Sequence, residues 1–132
     1  MSAPYMMSVP TISNDGSGAS YFGTRDIALN GEITRLLSDQ IEAVNFRLRR
    51  SEGYSSDFHV ANDPTLLIVL SGTIRIELPN GESRDFTTGD LYIAEDYLEA
   101  DITFDAARHG HRAEMIGDTP YTALHLKLER RN

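Results

Sequence analysis

The sequence contains no cysteine, and this absence removes several kinds of chemistry at once. Without cysteine there is no disulfide framework, no thiolate metal site and no thiol nucleophile. No stretch approaches the roughly 18 apolar residues of a transmembrane helix, and the N-terminus lacks a basic segment followed by an apolar one. We therefore expect a cytoplasmic protein with no membrane span and no signal peptide.

Basic residues are also scarce, with 12 Lys and Arg against 20 Asp and Glu, which gives a net charge of −8. Phosphate binding requires a basic surface, so we do not expect nucleic acid as a partner, although a local basic pocket remains compatible with this charge. The length of 132 residues suits one domain. Residues 1–19 are rich in Ser, Gly and Pro, which predicts a flexible N-terminal arm ahead of a single domain over residues 20–132. Alternatively, the arm packs on a partner subunit.

The rest of the chain alternates in the way that short strands do. The apolar run 66–70 ends at a Ser-Gly turn and predicts a buried strand, and a clean alternation of apolar and polar residues follows over 73–78. Asn30-Gly31 predicts a hairpin turn earlier in the chain. About ten such strands with no convincing long helix indicate an all-β sandwich or barrel.

One predicted strand carries arginines on one face and apolar residues on the other. Val44, Phe46 and Leu48 share a face, and Arg47 alternates with them. The pattern alone favours a solvated arginine face. In the alternative, Arg47 enters the barrel, where it is ready to bind the carboxylate or phosphate of a substrate.

The spacing of two short motifs resembles that of the cupin family. Its first motif reads Gly, five residues, His-x-His, three or four residues, Glu, six residues, Gly, and here Gly53, His59 and Gly72 stand at matching positions. Ala61 stands where the second histidine belongs and Thr65 where the glutamate belongs. The resemblance implies a cupin-type double-stranded β-helix, a jelly-roll barrel, of the small single-domain bacterial kind with a degenerate metal motif.

The second motif of the family opens at Gly89-Asp90 and ends at a histidine, which matches His111. Glu95-Asp96 replaces the usual proline turn, and residues 97–108 are inserted before the histidine. This insertion either folds down as a lid over the barrel or is a plain surface excursion.

Strand alternation then predicts which side chains face the barrel interior. The expected catalytic residues are His59, His111 and Tyr92, and the expected substrate-binding residues are Arg47, Asp96, Asp63 and Glu95. We expect His125, which alternates with Lys127, at the surface. Leu66, Ile68 and Leu70 face outward although they are apolar, so the sheet needs a cover, and we expect a homodimer, as the resemblance also implies.

Two of the four metal ligands of the family are missing, so the resemblance favours a site without a cofactor. His59 and His111 together with a carboxylate nevertheless remain candidates for binding iron, nickel or zinc.

An imidazole opposite a phenol suits proton removal next to a carbonyl, so we expect a small polar metabolite as ligand and an isomerase, epimerase or dehydratase type of enzyme. The alternatives are a non-catalytic metabolite-binding or sensing cupin, and a metal-dependent oxygenase or hydrolase with a reduced ligand set.

Overall fold

The computed structural model describes residues 5–130, which contain ten strands and no helix. No helix in this part of the chain is long and apolar enough to cross a membrane. The strands are β1 (Tyr5–Asn14), β2 (Ser20–Glu32), β3 (Arg35–Leu37), β4 (Ala43–Ser51), β5 (Thr65–Ser71), β6 (Thr73–Glu77), β7 (Ser83–Thr87), β8 (Leu91–Ala94), β9 (Arg112–Ile116) and β10 (Tyr121–Leu128).

The strands form a seven-stranded sheet in the order β3-β2-β1-β8-β5-β10-β4 and a three-stranded sheet in the order β7-β6-β9. All pairs are antiparallel except β1 with β8. Residues 54–59 extend the smaller sheet beside β9 through two isolated β-bridges: Ser55 pairs with Glu114 of β9, and His59 pairs with His111, which comes just before β9. The chain crosses repeatedly between the four strands β8-β5-β10-β4 and the four segments β7-β6-β9-(54–59), which is the order of a jelly roll. The predicted all-β, cupin-type jelly-roll fold is therefore confirmed.

The core lies between the two sheets because alternate residues of the facing strands point there. On β5 the buried residues are Leu67 and Val69, as the alternation predicts, while Leu70 on the other face is 50% exposed. The remaining core residues are Ile12, Ile74, Ile76, Leu78, Phe86, Tyr92, Ala94, Ala113, Tyr121 and Ala123.

The N-terminal prediction is wrong for most of its length. Residues 1–4 lie outside the described residues, but residues 5–14 form β1, which pairs with β2 along its whole length. The strand is held because Val9 and Ile12 bury their side chains on opposite faces of the sheet. Asn30-Gly31 is also no turn: both residues lie within β2 and pair with β3.

The outward face of β4 is apolar and open to solvent. Val44, Phe46 and Leu48 are 62%, 65% and 70% exposed. Arg47 and Arg49 share the other face, where Arg47 is exposed and lines a pocket, whereas Arg49 is half-buried and lines the cavity between the sheets. The prediction of a solvated arginine face is therefore confirmed for Arg47 and wrong for Arg49, and the apolar side of this edge strand has no cover within the described residues.

Candidate functional site

A cavity of about 150 Å³ lies between the sheets at the open end of the barrel. A cavity of that size has room for several water molecules or a small ligand. Its wall combines basic, phenolic and apolar side chains: Arg49, His59, Ala61, Thr65, Leu67, Ile74, Ile76, Tyr92, Ala94, His111, Ala113 and His125. A wider opening of about 320 Å³ shares Thr65 and His125 with this cavity and is also lined by Arg47.

His111 is held by a buried carboxylate. Its Nδ1 lies 2.9 Å from Oδ2 of Asp96, and Asp96 is 0% exposed. A carboxylate accepts, so this hydrogen bond requires the proton on Nδ1 and leaves Nε2 of His111 with a lone pair. An imidazole in that tautomer is ready to accept a proton from a ligand.

Two further donors complete the environment of Asp96. Its Oδ2 also accepts from the Ser20 hydroxyl at 2.9 Å, and its Oδ1 accepts from the Ala61 amide at 3.1 Å. The Ser20 oxygen in turn accepts from the Gly110 amide at 2.8 Å. Three donors and no acceptor around Asp96 are what an ionised carboxylate needs when it is buried.

His59 lies beside His111, and their ring centroids are 4.8 Å apart. The two residues exchange backbone hydrogen bonds of 2.9 Å in each direction. Gly110 permits this approach, because it has φ of +86° and a Cβ there would lie 2.6 Å from the carbonyl oxygen of His59. The Nδ1 of His59 donates to the Asp57 carbonyl at 2.9 Å, so its Nε2 also carries a lone pair.

Tyr92 supplies a phenol that stays protonated. It is buried, and its ring stacks on Phe86 at 4.2 Å between centroids. Burial raises the pKa of Tyr92 well above its ordinary value. It also raises the pKa of Tyr121, which lies on β10. At neutral pH both phenols are therefore hydrogen-bond donors rather than bases.

The structure gathers His59, His111 and Tyr92 at one cavity, with Arg47 at its opening. Asp96 lies behind His111 instead of lining the cavity, so its predicted role as a substrate ligand is corrected to that of a positioning residue. The sequence gives no sign of this, because Ser20 and Ala61, which complete its hydrogen bonds, are distant along the chain.

Two predicted substrate ligands do not reach the cavity. Glu95 forms an ion pair with Arg25 and accepts from Ser13 at 3.2 Å. Asp63 forms ion pairs with Arg130 at 3.1 Å and Lys127 at 3.7 Å. Both carboxylates are engaged by charges outside the cavity wall, which corrects their assignment.

Sequence reasoning also missed cavity residues. His125, expected at the surface, lines the cavity, because β10 presents alternate residues to the interior from Tyr121 onward. Arg49 lines it as well, two residues after Arg47 on the same face of β4. Burial lowers the pKa of His125, and the charges of Arg49 and Arg47 lower it further.

The inserted residues 97–108 contribute nothing to the cavity wall. They lie against the turn between β1 and β2: Asn14 donates to the Tyr97 carbonyl at 2.7 Å, and His109 Nε2 donates to the Ser17 carbonyl at 3.2 Å. His109 Nδ1 accepts from the Asp105 amide at 3.0 Å, so both of its nitrogens are used in holding this loop.

The cavity does not fit the metal that the fold family commonly holds. Within residues 5–130 no group of three or more His, Cys, Asp or Glu side chains is placed to hold a metal ion. The Nε2 atoms of His59 and His111 offer two donors, whereas catalytic zinc sites use three protein ligands. Asp96 already accepts from three protein donors, and Ala61 and Thr65 stand at the other ligand positions.

A larger surface pocket, about 430 Å³, lies elsewhere, between β2 and residues 38–42. It is lined by ion-pairing and aliphatic residues and has no imidazole or phenol. We assign the site to the smaller cavity because it brings the imidazoles of His59 and His111 together with the phenol of Tyr92.

Comparisons with known proteins found similarity in structure only: no family model matches the chain, and no curated protein matches it. A putative ethanolamine utilization protein Q from Salmonella typhimurium is 13% identical with a TM-score of 0.44, covering 94% of this chain and 97% of its own. The polyketide cyclase RemF from Streptomyces resistomycificus is 18% identical with a TM-score of 0.43, covering 71% and 61%. The Cnp3 cupin domain of Schizosaccharomyces pombe is 8% identical with a TM-score of 0.40, covering 94% and 84%.

Proposed function

We propose that this chain is an enzyme that moves a proton on a small polar metabolite held in the barrel, with His111 as the base. The observation that carries the proposal is the buried Asp96 carboxylate on Nδ1 of His111. Burying a carboxylate costs several kcal/mol even after relaxation. That cost is explained if the function of the protein requires a fixed orientation and tautomer of His111.

The reaction class follows from the groups that share the cavity. The base removes a proton from a carbon next to a carbonyl, the proton moves to Nε2 of His111, and the electron pair of the C–H bond moves onto the carbonyl oxygen. A protonated phenol such as Tyr92 stabilises that oxygen by donating a hydrogen bond. Return of the proton from Nε2 to the opposite face of the same carbon gives an epimerase. Its delivery to the former carbonyl carbon, while the hydroxyl proton of the neighbouring carbon moves to the oxygen of that former carbonyl, gives an isomerase. Its delivery to a hydroxyl on the next carbon, which leaves as water, gives a dehydratase.

Exchange of hydrogen for deuterium tests the proposal without a known product. Small hydroxy-carbonyl and keto compounds are incubated with the protein in D2O, and proton NMR follows the C–H signal next to the carbonyl. We expect exchange with wild type, loss of it in His111→Asn, and its retention in Asp63→Asn, which changes a carboxylate outside the cavity. Exchange that persists in His111→Asn would remove His111 from the role of base.

A non-catalytic binding or sensing module is the second candidate. It is favoured by the apolar part of the wall, which includes Leu67, Ile74 and Ile76 and offers contact surface without chemistry. The same NMR samples separate the two candidates. A compound that broadens or shifts in the presence of protein but shows no exchange with wild type identifies a binding module.

A further inference from the structure

We infer that Arg49 and His125 form an anion subsite within the cavity, so that the ligand carries a carboxylate or a phosphate beside its reacting carbon. The inference rests on the proposed function only in taking this cavity as the ligand site. It names the chemical class of the ligand, which the arrangement of Asp96 and His111 does not.

Arg49 is a partly buried cation without an acidic partner. Its Nε donates to the Ser51 hydroxyl at 2.9 Å, and its guanidinium lies 4.5 Å from the ring centroid of Tyr54 and 6.0 Å from that of Tyr121. None of the ion pairs found within residues 5–130 includes Arg49. In a chain with eight more acidic than basic residues, an arginine kept away from carboxylates and aimed into a cavity retains its terminal N–H groups for a ligand.

His125 adds a second unsatisfied group to the same wall. Its Nε2 is buried and has no hydrogen-bond partner in the described chain. A buried polar group without a partner destabilises the folded protein until a ligand supplies that partner. An acceptor-only ligand group satisfies the terminal N–H groups of Arg49 together with a neutral His125 that carries its proton on Nε2, and a carboxylate or phosphate is such a group.

The charges around the cavity favour the same class of ligand. Its wall contains Arg49 and His125 and no Asp or Glu. Arg47 lies across from His125 in the pairing of β4 with β10, at the wider opening. The predicted role of Arg47 in binding a carboxylate or phosphate is thus retained at the entrance, where it attracts an anion that Arg49 then binds.

Matched ligands that differ in charge test the subsite. Calorimetry measures binding of pyruvate, its neutral methyl ester and inorganic phosphate, and the pyruvate and phosphate arms show which anion is preferred. We expect one anion to bind at least about 10-fold more tightly than the ester, and Arg49→Gln to weaken that binding by about 10–100-fold, as expected for losing a hydrogen bond to a charged group. Arg50→Gln is the control, because Arg50 is exposed on the same strand and pairs with Glu52.

The outcomes separate this inference from the proposed function. Equal binding of the ester and the anions, no anion binding at tens of millimolar, or undiminished anion binding by folded Arg49→Gln overturns the subsite. If Arg49→Gln does not fold, Arg49→Lys takes its place, with the same expected loss of the bidentate contact. Anion binding that depends on Arg49, without deuterium exchange, supports the subsite while the proposed enzyme fails. Deuterium exchange that occurs only with neutral carbonyl compounds, without anion binding, supports the proposed enzyme and overturns the subsite.

Discussion

Replacing Asp96 with asparagine tests the tautomer of His111, on which the proposed chemistry depends. Asparagine has the shape of aspartate, and its Oδ1 still accepts from the Ala61 amide. Its NH2 group then occupies the place of Oδ2, where it donates to the Ser20 oxygen and to Nδ1 of His111. The proton of His111 therefore moves to Nε2, and the lone pair that faced the cavity is lost.

The cost to stability can be worked from the contacts. All three hydrogen bonds of Asp96 change from charge-assisted, at about 1.5–3 kcal/mol each, to neutral, at about 0.5–1.5 kcal/mol each. The free energy of unfolding should fall by about 3–4.5 kcal/mol, which a domain in the upper part of the typical stability range of about 5–15 kcal/mol survives. Proton exchange, by contrast, should fall by about 10³–10⁴-fold, as for a catalytic histidine locked in the wrong tautomer.

Long-range proton–nitrogen NMR spectra of the imidazole rings report the tautomer directly, and urea denaturation reports the stability. Asp63→Asn is the matched control, since it makes the same chemical change in an exposed ion pair and leaves both the tautomer and the exchange rate of wild type. A folded Asp96→Asn protein that keeps the proton on Nδ1 of His111, or keeps wild-type exchange, would refute the reasoning.

Three other predictions concern Gly110, His125 and the outward face of β4. Gly110→Ala should lower the stability in urea by more than Gly89→Ala. Both glycines have φ near +90°, but only at Gly110 does the new Cβ contact the His59 backbone. Equal losses of stability would mean that the backbone of His59 can move away from residue 110. Burial and the neighbouring arginines lower the pKa of His125 in the folded protein, so the unfolded chain binds this proton first as the pH falls. The free energy of unfolding should therefore drop as the pH falls from about 6.5, the ordinary pKa of histidine, toward the lower pKa of the folded state. Thermal unfolding should show a less steep pH dependence in His125→Gln. Wild type should sediment as a homodimer and Leu48→Glu as a folded monomer, because the outward face of β4 is an apolar strip that no part of residues 5–130 covers; a monomeric wild type contradicts this.

Local patterns were sufficient for the strands that form the barrel. Alternation counted from His59 placed Leu67 and Val69 inward, and both are buried in the structure. The glycine–histidine spacing likewise marked His59 and His111, which the fold brings into contact from segments far apart in the chain.

Alternation could not say which face of an edge strand meets the core. The apolar face of β4 looked like the buried one, yet Phe46 and Leu48 are exposed and Arg49 points inward. The same limit explains His125, whose alternation with Lys127 is equally compatible with a surface and an interior position. Side-chain partners such as Asp96 for His111 depend on three-dimensional packing that no spacing encodes.

Composition misled the interpretation of the N-terminus. The Ser-, Gly- and Pro-rich segment lacks an alternation of apolar and polar residues. Nevertheless β1 pairs with β2 along its length, and its residues 11–12 also pair with β8. Strand formation there is a property of the partners rather than of the segment, because paired strands satisfy backbone groups that the isolated segment would leave to water.

The two isolated bridges that attach residues 54–59 give the two imidazoles different local stabilities. His111 borders β9 and is tied through Asp96 to the core, whereas His59 is on a segment joined to the smaller sheet by a few backbone hydrogen bonds. Segments held in this way open without global unfolding. Amide hydrogens of residues 54–59 should therefore exchange sooner than those of β5 and β10, and this opening offers a small ligand a route into a cavity whose base stays in place.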